Sequence, residues 1–217
     1  ELRGKALTPD LVLDLQRILT ADTLEARDAA GRFRKPEEPI GVWDPRDGEL
    51  LHRPPVAEEL PRRMEEMCAF ANGKTPDFFV HPVVRATILH FWLAYAHPFV
   101  DGNGRTARAV FYWSMLSHGY WLSEYISVSS VLKRSPGQYM RAYLYTETDD
   151  NDLTYFILFN LRAVRLAIER LHEYLRVKMS ELRRTEALLK RSAHFNHRQI
   201  ALLSHALRHP DAQYSIQ

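Results

Sequence analysis

The sequence predicts an all-α fold, a helical bundle bearing one small β-hairpin, and three observations lead there. Apolar residues recur at helical spacing, or run nearly unbroken, through 9–19, 82–96, 105–118 and 154–191. Proline and glycine fall at the ends of these segments, where they start and stop helices. Only one stretch, 36–55, combines turn dipeptides with short apolar runs suited to paired strands. With 217 residues, 46% of them hydrophobic, the chain can build one good-sized domain, or one plus a small appendage.

Each element has its own local reason. Thr8-Pro9-Asp10 supplies a capping hydroxyl, a proline at the first helical position and an acidic first turn. Leu11, Leu13, Leu15, Ile18 and Leu19 give that helix its apolar face to about Leu19. Residues 20–35 are polar and mixed, ending in Gly31-Arg32-Phe33-Arg34. Pro39 to Trp43 and Glu49 to His52 then flank Asp44-Pro45-Arg46-Asp47-Gly48, the expected hairpin. So small a hairpin is marginal alone and must lean on the helices. Pro54-Pro55 leads into a helix that stops near Asn72-Gly73. Helix 82–96 is apolar nearly all round, the mark of a helix at the domain centre, and His90 within it is read as a packed histidine. Helix 105–118 stops at His118-Gly119. Ser135-Pro136-Gly137 opens a helix whose Tyr139, Tyr143 and Tyr145 are most simply core. Asp152-Leu153-Thr154 caps a long helix from about Thr154 to Arg191, and Phe195 to Leu203 begins a last short one. The expected division is a domain over 1–160, with the hairpin at about 36–55, and a long helix with an appendage over 161–217.

The chemistry concentrates between His97 and Arg108. Pro98 cannot continue the preceding helix, and Gly102 and Gly104 permit a tight turn and a close approach of backbone to another group. The next helix should begin near Arg105, its unpaired N–H groups and partial positive charge facing the loop. Arg105 and Arg108 are three apart and share a face. Arginine in a first turn opposes the helix dipole by about 0.3–1 kcal/mol, so two there make sense beside a polyanion. Backbone amides and paired guanidinium groups form a phosphate site. Asp101 can hold Mg²⁺ (or Mn²⁺) beside phosphates, and Asn103 can donate to a phosphate oxygen. His97 is the nearby group whose ordinary pKa lies near neutrality, hence the natural proton acceptor.

His97, Phe99, Asp101, Gly102, Asn103, Gly104, Arg105 and Arg108 match every fixed position of the signature His-x-Phe-x-[Asp/Glu]-Gly-Asn-Gly-Arg-x-x-Arg, so the stretch resembles the Fic family. The resemblance extends more loosely from about Thr8 to about Leu161. It implies a Fic-type helical bundle and an enzyme that moves AMP from ATP onto a Tyr, Ser or Thr hydroxyl of a target protein, releasing pyrophosphate. On that resemblance His97 deprotonates the attacking hydroxyl, Asp101 holds the metal, and Phe99 anchors the loop. Gly102, Asn103 and Gly104 form an anion hole, Arg105 and Arg108 grip phosphates, and Thr106 and Ala107 complete the nucleotide-binding stretch. The hairpin implies a flap that aligns the target segment by strand-like pairing, with Leu51 and His52 bordering the nucleotide. Tyr139 is carried over as a base contact, although Met140 stands where the family usually has a second tyrosine. The C-terminal segment resembles the start of a winged-helix module.

Net charge is +2, which gives no strong electrostatic argument for nucleic acid. The lone cysteine, Cys68, allows no internal disulfide and points to a reducing, cytoplasmic setting; no apolar run reaches membrane-spanning length. Two further readings remain: removal of AMP or transfer of another phosphate-containing group on the same scaffold, and a nucleotide-sensing DNA-binding regulator. Gly104 favours AMP transfer over the first, because phosphorylating relatives carry Lys there. The second is supported by the basic helix, with nine Lys or Arg against four Glu between Leu161 and Arg191, and by the winged-helix-like end. Fic enzymes are commonly inhibited by a helix carrying [Ser/Thr]-x-x-x-Glu-[Gly/Asn], whose glutamate pairs with the second motif arginine, here Arg108. No Ser or Thr in this chain has Glu four residues on. The inhibitory helix is therefore expected before Glu1, on a separate antitoxin-like partner, or not at all.

Overall fold

A computed structural model describes residues 4–38, 40–43, 48, 50–192, 194–209 and 211–214. Among the described residues there are eight α-helices, three short 3₁₀ turns and one two-stranded antiparallel sheet. Contacts divide the chain into two units, Glu1–Ala167 and Ile168–Gln217.

In the first unit α1 spans Pro9–Thr20, and the Thr8 hydroxyl accepts from the Leu11 N–H at 3.2 Å, capping it as the sequence indicates. Strands β1 (Val42–Trp43) and β2 (Leu50–His52) pair Val42 with His52 and Trp43 with Leu50. The turn expected at residues 44–47 lies outside the described residues. Helix α2 (Leu60–Ala71) starts later than Pro54-Pro55 suggested, after a single 3₁₀ turn over Ala57–Glu59. Val56 is still extended, at φ −62° and ψ 148°, and Pro61 falls in the first turn of α2, where its missing N–H costs no hydrogen bond. Cys68 is buried in α2 and burial pushes its thiol up to about 12, so it is an inert packing residue.

Helices α3 (Pro82–Ala96) and α4 (Asn103–Ser117) form the central hairpin. Leu89, Leu93 and Ala96 of α3 pack with Val12 of α1 and Leu60, Met64 and Met67 of α2. Ala86 faces a second apolar cluster and Phe91 a third, so α3 is enclosed on several sides, as its unpatterned hydrophobicity required. Helices α5 (Val128–Arg134), α6 (Pro136–Thr148) and the start of α7 (Thr154–Arg191) supply those clusters. In the second unit α8 (His197–Arg208) opens with a capping box between Asn196 and Gln199, and Arg208 grips Glu186 of α7 at 2.6 and 3.0 Å. Among the described residues no helix is long and apolar enough to cross a membrane.

Candidate active site

The loop between α3 and α4 builds the site. His97 ends α3 in the left-handed conformation, φ 44°, ψ 56°, its N–H still bonded to the Leu93 carbonyl. That reversal aims the next residues away from the helix axis. Phe99 is fully buried and stacks on Phe33 at 6.2 Å. Gly102, at φ 86°, starts α4 two residues earlier than expected. A Cβ there would stand 2.5 Å from Thr20 Cγ2 of α1, so glycine is needed for packing as well as for the turn.

His97, Asp101, Asn103, Gly104, Arg105 and Arg108 line one cavity of about 300 Å³. The N–H groups of Asn103, Gly104 and Arg105 begin α4 and have no carbonyl one turn back to bond; Thr106 makes the first such bond, to Gly102 O at 2.9 Å. The cavity therefore combines free helix-start amides with two guanidinium groups, which is anion-binding chemistry. Arg105 is held by Asp101 at 2.8 Å, by the Leu19 carbonyl at 3.0 Å and by the Thr23 hydroxyl. Arg108 has no carboxylate partner among the described residues and stands close enough to Tyr139, Tyr143 and His90 to influence their protonation.

His97 Nδ1 lies 3.2 Å from the Ala94 carbonyl. A carbonyl only accepts, so Nδ1 carries the proton and a neutral ring leaves its lone pair on Nε2. Burial lowers the His97 pKa to about 4, with the nearby charges of His52 and Arg34 adding to the effect. The ring is thus neutral at physiological pH, with one open acceptor.

Residues far away in sequence fix this loop. Arg34 is buried; its Nε donates to the His97 carbonyl at 2.9 Å, its guanidinium also reaches the Pro55 carbonyl, and its backbone N–H bonds Pro98 O at 2.8 Å. Gln16, fully buried in α1, donates to the Asp101 carbonyl at 3.1 Å and accepts from Gly31 N–H at 2.6 Å. Sequence reasoning missed both, because nothing local distinguishes a buried glutamine or one arginine among several.

Residues 6–115 match the Fic/DOC family. The chain belongs to that family. A protein adenylyltransferase Fic from Nematostella vectensis is 34% identical over 108 residues, 49% of this chain and 22% of that protein. The protein adenylyltransferase fic-1 of Caenorhabditis elegans is 32% identical over 113 residues, 51% of this chain and 20% of that protein. The chain spans about a fifth of the length of these curated relatives. The crystal structure of a Fic family protein from Desulfovibrio desulfuricans G20 superposes with a TM-score of 0.62 at 26% identity, over 78% of this chain and 47% of that one.

Within this Fic/DOC domain several expected site residues take other positions. Thr106 and Ala107 are fully buried; the Thr106 hydroxyl donates to Gly102 O at 3.0 Å, and Ala107 packs in the core. At about 100° per residue they fall on the inner face of α4, opposite the arginines. The Asn103 side chain is spent on Phe99, accepting its N–H at 2.9 Å and donating to its carbonyl at 2.8 Å. It braces the loop, leaving only the backbone N–H of Asn103 for a ligand. Tyr139 turns inward, its hydroxyl 2.9 Å from His90 Nε2 and 3.1 Å from Tyr143. Leu51 and His52 do not line the cavity; the His52 ring points at Glu147 and the Tyr95 carbonyl.

The family implies a divalent cation beside the phosphates. Asp101 is about half exposed at 53%, and its oxygens accept from Gly102 N–H at 2.5 Å and from Arg105 at 2.8 Å, leaving further lone pairs. Three or more His, Cys, Asp or Glu side chains gather nowhere among the described residues. The donors present fit a hard cation anchored by one carboxylate and otherwise held by phosphate and water.

Proposed function

We propose that the chain transfers AMP from ATP to a hydroxyl group of a protein, releasing pyrophosphate. One observation carries the reading: an open, neutral His97 acceptor lines the same small cavity as the first amides of α4 and the two arginines. His97 Nε2 takes the proton of the attacking hydroxyl. The hydroxyl oxygen bonds to the α-phosphorus as the bond to the bridging oxygen breaks, and the pair of electrons leaves with pyrophosphate. The amides of Asn103, Gly104 and Arg105, with the guanidinium groups of Arg105 and Arg108, hold the phosphate charge in place. Asp101 would hold Mg²⁺ or Mn²⁺, whose chemistry is to neutralise that charge. The names of the similar proteins support the same reaction.

The target segment would lie along the hairpin, where an exposed strand edge offers main-chain pairing tolerant of sequence. A larger cavity of about 460 Å³, bounded by Trp43, Leu50, Pro54 and Val56, adjoins that edge. An inhibitory helix, from the same polypeptide or a partner, would act by presenting a glutamate to Arg108.

Incubation with Mg²⁺ and α-labelled ATP, followed by mass spectrometry of modified Tyr, Ser and Thr, tests the reaction; absence of AMP adducts on any protein rejects it. The Gly104→Lys variant tests the site. A Cβ at Gly104 would already lie 3.3 Å from an Arg108 nitrogen, and a lysine adds a competing cation. Transfer should fall on the order of 10²-fold, as much as the loss of one anion-hole donor, because the side chain keeps phosphate from the amides.

A further inference from the structure

We propose that the His52–Glu147 pair is a positioning latch that holds the hairpin against α3 and α6, and so favours passage of AMP to a protein hydroxyl over passage to water. This rests on the AMP-transfer reading for its second half only.

The geometry is specific. His52 ends β2, and its side chain is only 9% exposed. Its Nδ1 lies 2.8 Å from Glu147 Oε2 in the last turn of α6, and its Nε2 lies 2.8 Å from the Tyr95 carbonyl in the last turn of α3. A carboxylate and a carbonyl both accept, so both ring nitrogens donate and the ring is an imidazolium. Burial opposes that charge, yet Glu147 and the Tyr95 carbonyl outweigh it and the His52 pKa is raised. The ring also tilts against the Tyr95 ring at 4.9 Å. One side chain therefore joins three elements, two residues before the His97 that ends α3.

The hairpin needs such a tie. Its strands are two and three residues long, too few to hold themselves in water. Pro54 and Pro55, which follow, have no N–H groups with which to extend the pairing. The Arg34 contact at the Pro55 carbonyl fixes the exit of the segment but not β2 itself. Water reaches an anion site without a platform, whereas a target segment must be registered along a strand edge. The latch should accordingly act on the protein acceptor and leave the water channel alone.

The test measures amide hydrogen exchange and two product channels. In Glu147→Gln, which keeps shape and hydrogen bonding but loses the charge, exchange at Trp43, Leu50, Leu51 and His52 should rise about tenfold while α3 and α4 amides keep their rates. The double variant His52→Gln/Glu147→Gln should exchange no faster than the faster single variant, the signature of one shared interaction. With α-labelled ATP and a soluble protein extract as acceptor, the Glu147→Gln ratio of protein-bound AMP to free AMP should fall about tenfold, with free AMP formation within about twofold of wild type. Unchanged hairpin exchange, additive effects in the double variant, or acceleration of the α3 and α4 amides as well would each overturn the latch. A parallel fall in both products would overturn its role in acceptor choice. If wild type makes neither product, the AMP-transfer reading fails and exchange alone still decides whether the latch exists.

Discussion

His90 and His97 stand seven residues apart on α3 and its end, and burial pushes both toward the neutral form, to about 3 and about 4. Their chemistry nevertheless differs completely. His90 is 2% exposed, its Nε2 occupied by the Tyr139 hydroxyl and its ring set among Phe111 and Phe156 at 6.1 and 5.5 Å. His97 spends Nδ1 on its own helix, lines the anion cavity and leaves Nε2 without a hydrogen-bond partner among the described residues. A depressed pKa thus does not tell the two apart. What sets His97 apart is the lone pair left over once the local hydrogen bonds are made, and the positive φ that carries it out of the helix.

The comparison can be broken by exchanging the consequences of mutation. His97→Ala should lower AMP transfer by ~10²–10⁴-fold, the usual contribution of a general base, while calorimetry finds ATP affinity little changed. Equal loss of binding and transfer would make His97 a structural group. His90→Ala should do the reverse. It leaves a cavity and takes a partner from Tyr139, costing about 2–4 kcal/mol in denaturant unfolding, with transfer per folded molecule kept within about tenfold. If instead transfer collapsed with stability intact, His90 would belong to the chemistry.

Titration sharpens the same contrast. In an NMR titration of the free protein, the His97 imidazole should protonate near pH 4, and His90 should stay neutral to about 3 or until acid unfolding. Both folded pKa values lie below the unfolded value near 6.5, so the folded state binds fewer protons between them. Their stabilising contribution is complete above about pH 6.5 and is lost as pH falls toward the folded values. A His97 pKa near 6.5 would mean that its ring is not desolvated. The smallest effect separates two variants: at φ 44° His97→Gly should be about 1 kcal/mol more stable than His97→Ala in denaturant unfolding, with transfer lost to the same degree in both.

The sequence singles out His97 as the proposed base through its neighbours. Glycines, a carboxylate and two arginines at helix-start spacing have few joint uses, and the helices around them announce themselves by punctuation. Belonging to a motif does not decide which face of α4 a residue occupies, and Thr106 and Ala107 fall on the buried one. Arg34, Gln16 and Glu147 were not legible at all. Their partners lie 63, 85 and 95 residues away in sequence, and no periodicity or local composition encodes such a meeting.

That distance has a consequence for how the molecule assembles. The twelve residues from His97 to Arg108 are contiguous, yet their shape is borrowed from Gln16 and Thr20 on α1 and from Phe33 and Arg34 beyond it. Helices α3 and α4 can form by local contacts, whereas the loop that shapes the anion cavity takes its bracing contacts from Gln16 and Thr20 of α1. Closing so long a loop is slow relative to helix formation. Under the AMP-transfer reading, nucleotide affinity becomes a late reporter of folding: it would arrive with long-range order, and bound nucleotide would in turn pull α1 into the cooperative unit by mass action.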